Sequence, residues 1–100
     1  MNHSIVHEAH ATVLRISGEL DALSSPELRP VLDALAAQRN CNIVVDFSEL
    51  RLIDSSGVGV MVSLYKRVRA NGGKVKFVGV MAQPLVIFKL LRLDHAFELS

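Results

Sequence analysis

The sequence predicts a single α/β domain with a mixed β-sheet and with helices packed together on one face. Half of its 100 residues are hydrophobic, which is enough to build one small domain around a core. Short β-forming runs alternate with stretches of helical periodicity after an opening hairpin. Neither a linker nor an internal repeat interrupts this pattern, so we expect residues 1–100 to form one domain.

Two short strands at the start of the chain form a predicted hairpin. They cover Ile5–Glu8 and Ala11–Ser17, and the break near Glu8–His10 suits the turn between them. The Gly-Glu-Leu-Asp block Gly18–Asp21 ends this unit, and a helix is predicted to follow it.

The first predicted helix begins near Ser24. Ser24 and Glu27 have the spacing of a capping box, and Pro26 lies where a missing N–H costs little. An apolar stripe follows at helical spacing, and it consists of Leu28, Val31, Leu32, Leu35 and Ala36. Pro30 fits poorly inside this stripe unless the first turn is loose, so the pattern leaves the boundary of this helix open.

A strand, a helix and a further strand come next. Asn42–Phe47 is a β-branched run, typical of a strand that is buried on both faces. A helix is predicted over Ser55–Ala70, since basic residues near its end complement the helix dipole and Gly72–Gly73 supplies a stop. Its apolar stripe consists of Val58, Met61, Val62, Tyr65 and Val68. The strand that follows is predicted over Lys74–Val80.

The third predicted helix is apolar on every side. It runs from Pro84 to about Leu93, and only Lys89 and Arg92 interrupt its apolar residues. Such a helix is either buried on more than one side or exposes a patch that meets a partner, such as a second copy in a homodimer. Burial is the favoured expectation, and Phe97–Leu99 is predicted to add a short final strand.

Composition and charge exclude several classes of function. Eleven Lys and Arg against ten Asp and Glu give a net charge of +1, without the basic excess that a nucleic-acid binder usually carries. The single cysteine, Cys41, cannot form an internal disulfide, which agrees with a reducing compartment. The N-terminus does not resemble a secretory signal, and the apolar runs are far shorter than the ~20 residues of a membrane helix. We therefore expect a cytoplasmic protein without membrane insertion.

The most informative stretch is LRLIDSSGVGVM, Leu50–Met61, where a strand gives way to a helix. A helix N-terminus has unpaired N–H groups and accepts anions, so it would tolerate a phosphoryl group of roughly −1.5 to −2 charges on a serine. A partner docked on the same spot would be repelled. The alternative is an ordinary N-cap within Asp54–Ser56, with Gly57 and Gly59 placed for close packing. Spacing alone favours the capping interpretation.

Three blocks of the sequence resemble the STAS domain of anti-sigma factor antagonists. They are SGELD at Ser17–Asp21, VVDFSELRLIDSSGVGVM at Val44–Met61 and RANGGKVKFVG at Arg69–Gly79. The blocks stand in order from the hairpin to the third helix, and the Asp-Ser-Ser-Gly block is the most specific of them. The resemblance implies a single STAS domain that binds other proteins and is not an enzyme.

The resemblance also implies partners and site residues. Unphosphorylated members bind a serine-kinase anti-sigma factor and thereby release the sigma factor or another target; the kinase phosphorylates the first serine of the block, and a serine phosphatase reverses this. Carried onto this chain, the phosphoacceptor is Ser55. Asp21 and Asp54 belong to the partner-facing surface, and Ser56 and Gly57 shape the loop and the helix start. The alternative role for Asp21 is that of an ordinary turn or cap residue. The resemblance implies no cofactor.

One departure concerns the end of the chain. Members commonly continue past the third helix into a full strand and a fourth helix, whereas this sequence stops at Ser100. We therefore expect Val86, Ile87 and Leu90 to be less covered than usual, which puts the monomeric state in question.

Other chemistries are weakly supported by the sequence. His3, His7 and His10 lie close together, but a solvated edge explains them better than a metal site does. The sequence lacks a nucleophile-elbow motif and a phosphate-binding Gly-Lys loop, so catalysis is not expected. The remaining alternative is a STAS domain without a phosphorylation switch, acting as a structural or ligand-binding subunit of a larger complex such as a lipid transporter.

Overall fold

A computed structural model describes residues 1–97 and residue 99, and one four-stranded sheet is the frame of the fold. The strands lie in chain order across the sheet; the first pair is antiparallel, and the other two pairs are parallel. The strands are β1 (Asn2–His7), β2 (Thr12–Leu20), β3 (Asn42–Ile53) and β4 (Lys74–Val78). The helices of the described residues are α1 (Ser25–Ala36), α2 (Ser55–Ala70), α3 (Ala82–Leu90) and α4 (Leu93–Ala96). The predicted mixed α/β sheet is confirmed.

Among the described residues, helices cover one face of the sheet, as predicted. Two parallel crossovers that step in the same direction place their helices on the same side when both have the usual right hand. The buried side chains on that side include Leu14, Ile16, Ile43, Val45, Phe47, Val75 and Phe77. On the other side Val44 and Asp46 are half-buried, and Lys76 is exposed. The prediction that Asn42–Phe47 is buried on both faces is therefore wrong.

The start of α1 differs from the predicted capping box. Ser24 occupies the N-cap position in a helical conformation, with φ −91° and ψ −27°, and its side chain does not cap the helix. Its hydroxyl instead accepts a hydrogen bond from the N–H of Asp21 at 2.9 Å and lies 2.9 Å from the carbonyl of Glu19. The capping-box prediction is wrong because Ser24 lacks the extended backbone that such a cap requires. Pro30 lies inside α1, which continues to Ala36.

The later boundaries agree with prediction at α2 and differ toward the C-terminus. The bounds of α2 are those predicted. Strand β4 ends at Val78, because Gly79 adopts φ +67° and turns the chain. Helix α3 ends at Leu90, earlier than predicted, and the short α4 follows. Phe97 and Leu99 are not in a strand, so the predicted final strand is wrong at both; Glu98 lies outside the described residues.

Helix α3 is buried on one side, and the prediction that it is buried on more than one side is wrong. Pro84 and Phe88 are buried, whereas Val86 is 55% exposed and Leu90 is 73% exposed. The ring of Phe88 enters an aromatic cluster formed by Phe47, Phe77, Phe88 and Phe97. Within the described part of the chain no other element covers the outer side of α3. The homodimer expected through this helix stays a prediction.

Candidate functional site

The predicted site residues meet at one edge of the sheet. Asp21 follows β2 directly, Asp54 follows β3, and Ser55 begins α2. Because β2 and β3 are parallel, both strands end at the same edge. The last residue of β2 and the residue before α2 are joined there, since the N–H of Asp54 donates to the carbonyl of Leu20 at 3.1 Å.

Asp54 is the N-cap of α2. Its backbone is extended, with φ −109° and ψ −174°, and Oδ1 accepts a hydrogen bond from the N–H of Gly57 at 3.0 Å. Oδ2 accepts a second hydrogen bond from the N–H of Ala22 at 3.1 Å. Both oxygens therefore satisfy backbone N–H groups, one in the helix and one in the neighbouring loop. The capping role considered for Asp54 is confirmed, and it also holds the two loops together.

Asp21 organises the turn between β2 and α1. Its Oδ1 accepts hydrogen bonds from the N–H groups of Leu23 and Ser24, each at 3.0 Å. The N–H of Ser24 lowers the pKa of the Asp21 carboxyl below its ordinary value, and the Ser24 hydroxyl and the Leu23 N–H lower this pKa further. Asp21 has the turn role that the sequence left open, and its half-buried side chain also lies at the edge shared with Ser55.

The lowered pKa of Asp21 predicts a pH dependence of stability. A carboxyl whose pKa is depressed in the folded state stabilises the protein above the unfolded pKa of about 3.9, and this contribution is lost as the pH falls through the folded pKa. We expect Asp21→Asn to lose less unfolding free energy than the wild type between about pH 5 and pH 2. Urea unfolding at a series of pH values measures this slope. The same dependence of unfolding free energy on pH in both proteins would contradict a lowered pKa of Asp21 in the folded state.

Ser55 is exposed at the first position of α2, and Ser56 beside it is half-buried. Because Asp54 supplies the cap, the start of the helix does not depend on a serine hydroxyl. The N–H groups of a helix's first turn have no partner within the helix, and the positive end of the dipole lies there. A modification that adds negative charge at Ser55 is therefore compatible with the fold.

The absence of a side chain at Gly57 allows α2 to approach the sheet closely, whereas the absence of one at Gly59 plays no part in this packing. A Cβ added at Gly57 would lie 2.7 Å from the carbonyl oxygen of Leu20 and 2.7 Å from Cγ1 of Ile53. A Cβ added at Gly59 would have no neighbour within 4 Å among the described atoms. The expected close-packing role is confirmed for Gly57 and is wrong for Gly59.

This difference predicts opposite effects of two matched substitutions. Gly57→Ala should lower the free energy of unfolding by about 1–3 kcal/mol, because the methyl group meets backbone that is fixed in the sheet. Gly59→Ala should raise it by about 0.5–1 kcal/mol, because alanine favours the helix and meets no neighbour. Chemical denaturation of both variants measures the two effects. A gain in stability for Gly57→Ala would show that Leu20 and Ile53 give way at no cost.

Gln83 is a site residue that the sequence did not reveal. Its Oε1 accepts from the N–H of Ile53 and its Nε2 donates to the carbonyl of Ile53, both at 2.9 Å. This pair of bonds fixes the start of α3 against the last residue of β3. Between the start of α3 and the end of β3 lies a hollow of about 220 Å³, lined by Glu19, Leu20, Asp21, Leu52, Ile53, Asp54 and Gln83. No local pattern marks Gln83, because its partner lies 30 residues away in the chain.

The histidines do not join this site. His3 and His7 are in β1, and Nδ1 of His7 lies 3.3 Å from the hydroxyl of Thr12. His95 is in α4, 3.8 Å from the carboxylate of Asp94. Across residues 1–97 and 99, no three side chains of metal-ligating type converge. In the same part of the chain, none of the helices has both the length and the apolar character needed to traverse a bilayer.

The sequence of this chain is similar to those of known proteins. A family model described as the STAS domain matches residues 3–100. The anti-sigma F factor antagonist of Paenibacillus polymyxa is 40% identical over an alignment of 78 residues, and the match covers 75% of this chain and 67% of that protein. The anti-sigma-B factor antagonist of Bacillus subtilis (strain 168) is 30% identical over 87 residues, which are 87% of this chain and 79% of that protein.

A solved structure has the same fold. It is that of the Bacillus cell fate determinant SpoIIAA in its phosphorylated form, with a TM-score of 0.78. The match covers 99% of this chain and 89% of that chain, at 21% sequence identity. At this level of identity the likeness shows the fold.

Proposed function

This chain belongs to the STAS domain family, and from that premise we propose that it is an anti-sigma factor antagonist that is switched off by phosphorylation of Ser55. In its unphosphorylated form it binds a serine-kinase anti-sigma factor, which then releases its sigma factor or another target. A serine phosphatase restores the active form. The names of the two relatives, both anti-sigma factor antagonists, support this function.

One observation carries the proposal: an exposed serine stands at the first position of α2, and the residue before it already caps the helix. Both oxygens of Asp54 are bonded to backbone N–H groups, so Ser55 can change chemically without loss of a cap. A phosphoryl group there adds roughly −1.5 to −2 charges and three acceptor oxygens at the positive end of the helix dipole. The fold tolerates this charge.

The binding surface does not tolerate the same charge. Asp54 adjoins Ser55 in the chain, and the Asp21 turn is tied to Asp54 through the N–H of Ala22. A partner that binds the unphosphorylated surface has to accommodate these two carboxylates. A phosphate between that partner and Ser55 adds like charge and bulk at a desolvated contact, which costs binding free energy. Asp21, Asp54, Ser56 and Gly57 thus form or shape the partner-binding surface around Ser55.

The proposed role is binding and not catalysis. The chain is the substrate of the kinase and of the phosphatase, and it needs no cofactor for this role. An antagonist of an anti-sigma factor acts where transcription takes place, so the proposal includes a cytoplasmic location. It includes no direct contact with nucleic acid, in agreement with a net charge of +1.

The experiment that tests this function is phosphopeptide mass spectrometry of the protein purified from its own cells under several growth conditions. We expect phosphate on Ser55 in a proportion that changes with the condition. Ser56→Ala is the matched control, because it should keep the modification, whereas Ser55→Ala should lose it. Phosphate confined to another residue would contradict the proposal. Unmodified Ser55 together with stable co-purification of transporter subunits would favour the alternative of a structural subunit.

A further inference from the structure

Two exposed leucines lie at the Asp21 turn, one in the turn itself and one in a hollow that Asp21 also lines. Leu23 is 88% exposed and Leu52 is 46% exposed. Leu23 lines a hollow of about 400 Å³, and Leu52 lines the hollow of about 220 Å³ described above. Glu19 and Asp21 line both hollows, so these two acidic residues connect the surroundings of the two leucines; Arg51, which lines the larger hollow, pairs with Glu19 at 3.3 Å. We call Leu23 and Leu52 the leucine pair.

The turn that presents Leu23 is held in one conformation by hydrogen bonds. The N–H groups of Leu23 and Ser24 both donate to Oδ1 of Asp21, and the N–H of Asp21 donates to the Ser24 hydroxyl. The N–H of Ser25 donates to the carbonyl of Asp21 at 2.8 Å. Because the backbone of this turn is already fixed, it loses little conformational freedom when a partner buries an apolar side chain of the turn. Leu23 is therefore suited to anchor a protein–protein contact.

The leucine pair is continuous with the Ser55 surface. Ala22, the neighbour of Leu23, donates its N–H to Oδ2 of Asp54, and Leu52 precedes Asp54 by two residues on β3. A kinase has to cover the surroundings of the hydroxyl that it phosphorylates. An enzyme docked over Ser55 therefore reaches the leucine pair without a second interface.

We propose that the leucine pair is the apolar anchor by which the serine-kinase anti-sigma factor grips this protein, an inference that rests on the proposed function. The occupant is a partner with an apolar contact bordered by basic groups, because the carboxylates that line the two hollows outnumber the basic side chains there. The carboxylates are those of Glu19, Asp21, Glu27 and Asp54, and the basic side chain is that of Arg51, which pairs with Glu19 at 3.3 Å. A second copy of this chain is disfavoured at this surface, since a twofold contact would bring these carboxylates face to face. The exposed apolar side of α3 is not part of this anchor.

Binding measurements on three leucine variants test the anchor. The probe is each purified serine-kinase anti-sigma factor of the source genome, loaded with ADP so that Ser55 stays unmodified. Leu23→Ala should raise the Kd about tenfold, because a largely exposed leucine becomes buried in the complex. Leu52→Ala should raise the Kd by a smaller factor, since less of its side chain is free to be buried. Leu90→Ala on α3 is the matched control and should leave the Kd unchanged.

The outcomes separate the anchor from the proposed function. All three side chains are exposed, so their removal should leave the thermal midpoint unchanged, and a lower affinity then reports the contact itself. With ATP present, Leu23→Ala should raise the KM for phosphorylation of Ser55 and leave kcat unchanged. Wild-type affinity in both Leu23→Ala and Leu52→Ala, or an equal loss in Leu90→Ala, would overturn the anchor alone. Failure of the wild type to bind any of these kinases would overturn the proposed function and the anchor with it.

Discussion

Ser55→Asp should abolish binding to the serine-kinase anti-sigma factor while the protein stays folded. The substitution places a carboxylate at the first position of α2, where the helix dipole favours negative charge. The same carboxylate joins Asp54 and Asp21 at the surface that the partner covers, so the complex gains like-charge repulsion at a desolvated contact. We expect the Kd to rise about a hundredfold or more, as measured by isothermal titration calorimetry.

Ser55→Ala is the control for this substitution. It removes the acceptor hydroxyl and adds no charge, so it should bind the kinase with wild-type affinity and remain bound in the presence of ATP. Circular dichroism should show the same thermal midpoint for both variants to within a few degrees, because Asp54 makes the cap in each. Tight binding by Ser55→Asp would contradict the switch, and its unfolding would contradict the claim that the fold tolerates charge at this position.

Phe88→Ala should cause the largest loss of stability among the substitutions considered. Phe88 is fully buried, and its ring centroid lies 5.9 Å from that of Phe47, 6.1 Å from that of Phe77 and 5.6 Å from that of Phe97. Its removal takes away one of the two buried side chains of α3 and leaves a cavity in the aromatic cluster. We expect the free energy of unfolding in urea to fall by about 3–5 kcal/mol.

Val86→Ala on the same helix is the matched control. Val86 is 55% exposed, so its truncation should change the free energy of unfolding by no more than about 0.5 kcal/mol. The contrast tests whether α3 is held to the domain on one side only. Similar losses in both variants would mean that the outer side of α3 is covered as well, as it would be in a homodimer through this helix.

Local signals in the sequence predicted some elements accurately. The bounds of α2 followed from capping residues within Asp54–Ser56, cations in the last turn and glycines directly after the helix. Hydrophobic periodicity placed the buried side of α1, and the β-branched run placed the first half of β3. These signals depend on interactions within one element or between neighbours in the chain, so they can be recognised without knowledge of the fold.

Features that depend on tertiary contacts were not predictable in the same way. The apolar composition of α3 could not show which side of the helix would be buried, because that depends on how the helix is placed against the sheet. The hydroxyl of Ser24 had the spacing of a cap, but the Asp21 turn binds it instead. Gln83 reaches Ile53 across the fold, and a glutamine before a proline carries no signal of such a contact.

At the candidate site, the structure shows one of the predicted roles, and the other stays a proposal. The choice of Ser55 as phosphoacceptor came from the resemblance of the Asp-Ser-Ser-Gly block, and it stays a proposal. The sequence presented capping and switching as alternatives for this block. The structure assigns the cap to Asp54 and leaves Ser55 exposed, so neighbouring residues can fill the two roles.

The most direct test of the proposed switch compares two affinities for the ADP-bound kinase, that of the fully phosphorylated protein and that of the unphosphorylated protein. The phosphorylated form is prepared with the kinase and ATP, and mass spectrometry confirms a single phosphate on Ser55. We predict that titration calorimetry detects tight binding of the unphosphorylated protein only, while both forms unfold at the same temperature to within a few degrees. Equal affinity of the two forms would contradict the central claim that a phosphate on Ser55 blocks the interface without disturbing the fold.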